Sequence, residues 1–250
     1  MGPRSRNRSQ FTGSRFRTAV TYREIAPHLA WAAMKANTLL RLGGLSLALG
    51  GILGPFGHLV FHPPSHALQY QGTAQWVLAH GILAVSWVLI LFGLFALFGH
   101  LHERMGVIGL LGFVLVIVMC LDVIATYAFD AFTLPEILTT FPGEVATGPQ
   151  GSFRQFPNWI PLALGELIGV IVFGIVIFRS HFAERWSGIA LAASVFITVG
   201  GLLLGHSPLH LERAIPIGFS IQSLVFTWIG FGLLQSAGAR RRPEFPDVAR

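Results

Sequence analysis

Asp122 and Glu166 lie inside runs of apolar residues long enough to cross a lipid bilayer. A carboxyl group in hydrocarbon is costly, and where one is kept it is a functional candidate. No Lys or Arg shares their depth, so histidines are the cationic partners within reach. His80 is placed about one turn inside the outer end of the second apolar run, and His58 near the outer end of the first. His62, His66, His206 and His210 fall at or just beyond the outer ends of the first and fifth runs. All of these groups are expected on one side of the membrane.

Three chemistries fit such a collection, and the sequence leaves all three open. In the first, Asp122 and Glu166 share protons with His80 and His58 and handle a proton or a small solute. In the second, imidazoles hold a metal or a haem. His58, His62 and His66 are spaced i, i+4, i+8, and His206 and His210 i, i+4, as ligands on one helical face would be. Pro63, Pro64 and Pro208 interrupt that face. His58 and His80 could instead ligate haem b axially, or a divalent metal could use the same set. In the third, each polar group bonds a neighbouring helix and has no ligand.

The segment 129–158 is read as a long outer loop with Asp130 and Glu136 as candidate binding residues. Within it, Leu134-Pro135-Glu136-Ile137-Leu138 suits the start of a short helix, because proline is tolerated in a first turn.

Other chemistry is excluded. There is no Walker A lysine, no Gly-x-Ser-x-Gly elbow and no His-Glu-x-x-His pair. No residue is assigned a catalytic role. The single cysteine, Cys120, rules out an internal disulfide and a multi-cysteine metal site.

The elements that must position these groups follow from composition. Of the 250 residues, 53% are hydrophobic and 11% charged, against about 25% charged in soluble domains. Lipid is therefore the expected solvent. Six apolar stretches run roughly 39–61, 76–99, 105–128, 159–179, 186–205 and 214–236. Each can cross a hydrocarbon layer of about 30 Å as a helix. The expected fold is all-α, with six transmembrane helices arranged as three helical hairpins. With the amino terminus cytoplasmic, inner segments hold 15 Lys and Arg and outer segments hold two, Arg154 and Arg213. Both termini are then cytoplasmic.

Residues 1–38 are read as a basic, disordered tail, 39–236 as the membrane domain and 237–250 as a basic carboxyl tail. Met34 offers an alternative start, and the Arg- and Ser-rich composition also suits a transit peptide. The net charge of +6 gathers mainly in the amino tail, which argues against a nucleic-acid partner. Partners are the lipid bilayer and a proton or small solute. Gly50/Gly54, Gly165/Gly169 and Gly201/Gly205 suit close helix packing, within the chain or in a homo-oligomer. Residues 41–66 and 185–210 align without gaps at nine of 26 positions, among them His62/His206, Pro64/Pro208 and His66/His210. This suggests an internal repeat.

His62-Pro63, then Trp76-x-x-Ala79-His80, then Asp130-Ala131-Phe132-x-x-Pro135, set in six spans, resembles a group of small bacterial integral membrane proteins. The resemblance covers roughly residues 38–236. It implies a bacterial cytoplasmic membrane and brings no activity, ligand or site residue.

Overall fold

The computed structural model describes residues 22–63, 70–141, 159–180, 185–204 and 214–239. Every element among them is helical. Helix α1 spans Tyr22–Pro55 and continues as a wider π-helical turn, Phe56–Phe61. Helix α2 spans Ala74–Ala128, followed by a π-helical turn, Phe129–Thr133, and helix α3, Leu134–Thr140. Helix α4, Trp159–Leu164, passes through a π-helical segment, Gly165–Val170, into α5, Ile171–Arg179. Helices α6, Trp186–Leu204, and α7, Ala214–Ala239, complete the chain.

Met1–Ala36 and Asn37–Arg250 are separate units. Of the expected disordered tail, residues 22–38 are helical instead. The Ala-rich stretch from Ile25 to Asn37 has high helix propensity, which explains the early start.

Helix α2 is not one rod. Gly106 has φ 60° and ψ −178°, a conformation essentially reserved for glycine. The chain reverses there. Phe98 stacks on Phe113 across the reversal, with ring centroids 4.6 Å apart. The two arms of α2, 74–105 and 107–128, therefore run side by side in opposite directions. The expected gap between the second and third apolar runs, 100–104, is helical, and the turn is a single residue, Gly106. The expected outer loop also begins as helix: the π-helical turn and α3 occupy its first part, with Pro135 in the first turn of α3.

Glycines on α1 let its neighbours approach closely. A methyl group on Gly43 would strike Ala96, and on Gly50 the backbone of Ser86 and Ile90. On Gly57 it would meet Leu83. These three glycines, seven apart, form a stripe facing the first arm of α2. Gly44 and Gly51 form a second stripe, facing Gly230 and Thr227 of α7. Gly54 abuts Ser223 of α7, while Gly165 and Gly169 abut Met119 and Leu115. These glycine faces are thus filled within the chain, so an oligomer through them is not needed to explain them. Gly201 and Gly205 lie outside the residues whose side chains are described.

These contacts give the bundle two ends. Arg104 donates to the Ser180 carbonyl at 3.0 Å near the Gly106 turn, capping the end of α5. Arg41 lies at the same end, just before Gly43 and Gly44. The histidines His58 and His80 lie at the other.

Between the ends the outward faces are apolar. Phe92 is 63% exposed and Phe196 71%. Four helical segments are long and apolar enough to cross a membrane: Ala36–Phe61, Ala74–Thr140, Ile160–Arg179 and Ile215–Gly238. Trp186–Gly200 is apolar but shorter.

Candidate functional site

The amino end of α2 builds the site. Thr73 caps it: its hydroxyl accepts from the Trp76 backbone N–H at 3.3 Å and donates to the Tyr70 carbonyl at 2.7 Å. This cap fixes the register of Trp76, Ala79, His80 and Leu83, all buried on one helical face. The reversal at Gly106 then sets that face against the far end of the second arm, because residues nearly equidistant from the turn lie opposite one another. His80 thereby meets Asp130.

The His80 ring is 1% exposed as a residue, and Asp130 is 5% exposed. His80 Nε2 lies 3.6 Å from Asp130 Oδ2, an ion-pair distance. His80 Nδ1 lies 2.8 Å from the Trp76 carbonyl oxygen one turn back. A carbonyl can only accept, so Nδ1 carries the hydrogen. Trp76 stacks on His80 at 4.0 Å, and its indole N–H donates to the Asp130 carbonyl at 3.1 Å. One tryptophan thus positions both members of the pair. The His62 ring lies 5.1 Å from His80 and 5.7 Å from Trp76. Tyr127 packs against both His80, at 5.7 Å, and His58, at 5.9 Å. His58 stacks on Phe219 of α7 at 5.7 Å.

The wider turns help to place these groups. Phe56–Phe61 carries His58, and Phe129–Thr133 carries Asp130. A π-helical turn rotates a side chain off the α-helical register, and such turns concentrate at functional sites.

The expected four-residue cluster is divided. His58 and His80 share the Tyr127 ring. Glu166 does not join them through a hydrogen bond or ion pair. It is 3% exposed, accepts from Gln222 Nε2 at 3.1 Å, and lies near the Thr198 hydroxyl, which donates to the Ser194 carbonyl at 3.2 Å. Gly165 beside it packs on Met119, roughly 16 Å along the second arm from Asp130 at helical rise. Asp122 is half-buried and makes no hydrogen bond or ion pair among the described residues. The carboxylate facing His80 is Asp130, which the sequence had suggested for an outer loop. Glu136, its expected companion, is exposed on α3. Among the described residues, Trp76 stood in the sequence only as part of the resemblance motif, and Tyr127 and Thr198 were not singled out.

Among the described residues no three His, Cys, Asp or Glu side chains group as metal ligands. A haem between His58 and His80 fits poorly. The faces of His80 are lined by Trp76 and Tyr127, and both its ring nitrogens already address acceptors. His58 is covered by Phe219 and Tyr127. His66, His206 and His210 lie outside the described residues.

No protein family, curated protein or solved structure matches this chain.

Proposed function

We propose that this chain is a six-crossing protein of the bacterial cytoplasmic membrane and that its histidine end is a proton-active centre, serving a transporter-like or sensor-like role. Counting the arms of α2 separately and adding α6 gives six crossings, in three out-and-back pairs. The basic end then faces the cytoplasm with both termini, and the histidine end faces outward. Gly44 and its repeat counterpart Gly188 both sit at close helix contacts, which supports the internal repeat.

One observation carries the functional reading. Both ring nitrogens of His80 face acceptors, the Trp76 carbonyl and the Asp130 carboxyl. With Nδ1–H committed, Nε2 and Asp130 are placed to hold one proton between them. It rests on the imidazole, giving an ion pair, or on the carboxyl, giving a neutral pair. Passing it between them changes the charge of each partner without opening the site. Three separated motifs, around His62, Trp76 to His80, and Asp130, supply this one centre. They are the residues that carry the resemblance to small bacterial membrane proteins.

Trp76 supplies a test. A protonated imidazole stacked on an indole quenches its emission, so tryptophan fluorescence in lipid nanodiscs should change with pH. The Trp76-dependent part, found by difference from Trp76→Phe, should vanish in His80→Gln and Asp130→Asn. A pH response of native size in both variants would defeat the proposal. An acid pulse applied to proteoliposomes holding a pH dye separates the two roles: a transporter moves protons inward, and a sensor does not.

A further inference from the structure

The pair Glu166–Gln222 is a second polar centre that the reading above does not use. It lies where α4–α5, α6, α7 and the second arm of α2 converge. Gly165 and Gly169 bring the π-helical segment against Met119 and Leu115, and Gly218 brings α7 against the Thr198 hydroxyl. Both side chains are buried, Gln222 completely. One hydrogen bond joins them, from Gln222 Nε2 to Glu166 Oε2 at 3.1 Å. The two remaining oxygens, Glu166 Oε1 and Gln222 Oε1, are buried acceptors with no donor among the described residues.

A single proton resolves both. A carboxylic acid and a primary amide close into a ring of two hydrogen bonds. The amide N–H donates to one carboxyl oxygen, and the acid O–H donates to the amide oxygen. Half of that ring is present here. We infer that Glu166 carries a proton in the folded protein, donated to Gln222 Oε1, and that this acid–amide pair is a second proton-exchange site. Loss of the proton leaves a carboxylate with two facing, unsatisfied acceptors and no cation to meet it. The surrounding elements support this. The second arm of α2 offers the Cys120 thiol, Asp122 and the Tyr127 phenol as titratable groups, α6 offers hydroxyls, and α7 offers Gln222 and hydroxyls. Arg179, on α5, is roughly 20 Å further along at helical rise. The π-helical segment holding Glu166 gives the centre a place to rearrange on proton loss.

Infrared spectroscopy of the full chain in nanodiscs tests this. At mildly alkaline pH, exposed carboxyls are ionised and a buried acid retains its carboxylic C=O band. The native protein should show such a band, shifted by ¹³C-glutamate labelling and absent in Glu166→Gln. It should persist in Asp130→Asn, which separates this site from the His80 pair. Gln222→Leu should keep the band but move it to higher frequency, because the acid loses its acceptor. That variant and the labelled native protein serve even if Glu166→Gln does not fold. No labelled acid band in the native protein would overturn the inference, as would a band indifferent to Gln222→Leu. A band abolished by sodium and restored by choline would also overturn it, assigning the site to a metal cation.

Discussion

Asp130 and Glu166 are both buried carboxyls, and the bundle matches them with different partners. Asp130 faces an imidazole, which can take a positive charge. Glu166 faces an amide and a hydroxyl, which cannot. The first pair can remain charged as a pair or become neutral by an internal transfer. The second must be neutral in itself or be left uncompensated. Location follows the same division. Asp130 stands at the end of its arm beside the capped start of α2, and Glu166 stands well inside, with Arg179 of α5 roughly 20 Å away along the helix. Depth in the bundle thus sets which partner chemistry is tolerable, in keeping with the high cost of an isolated charge in hydrocarbon.

Removing the partner should separate the two regions. His80→Leu abandons a carboxylate that was paired with an imidazole, and breaking a buried pair in this way costs about 3–5 kcal/mol. Thermal unfolding in detergent should show a large loss, mostly recovered when Asp130→Leu is added. A loss of similar size in the double variant would mean that packing, not charge, dominates. Gln222→Leu should cost less, about 1 kcal/mol, the scale of an interhelical polar contact in a membrane. A loss as large as that of His80→Leu would show that Glu166 is charged and erase the contrast. Asp122→Asn should lie within about 0.5 kcal/mol, since this half-buried group has no partner to lose. A larger effect would add a third carboxyl centre.

Much of this was legible in the sequence, and the limits have physical causes. Apolar run length located most of the helices, because a bilayer demands helices of a given length. His80, His58 and Glu166 stood out in the sequence by their misfit with lipid. Their partners did not, because partners depend on how helices are rotated and where they turn. The decisive residue is Gly106. Read as one glycine among many, it left Asp130 in a loop. Placed at a one-residue reversal, it sets Asp130 opposite His80. Gln222 did not stand out, since nothing in the sequence of α7 alone points it at Glu166. Composition suggested a tail up to residue 38, but local helix propensity overrides that reading from Tyr22 onward.

The most direct measurement is the ¹⁵N chemical shift of His80 in histidine-labelled protein in lipid, assigned by loss of its signals in His80→Gln. Nδ1 should be protonated throughout, and Nε2 should have a proton bound or shared with Asp130, seen as a shift away from that of a bare imine nitrogen. Asp130→Asn should remove that feature. A bare Nε2 in the native protein, unchanged by Asp130→Asn, would contradict the claim that these two residues hold a proton between them.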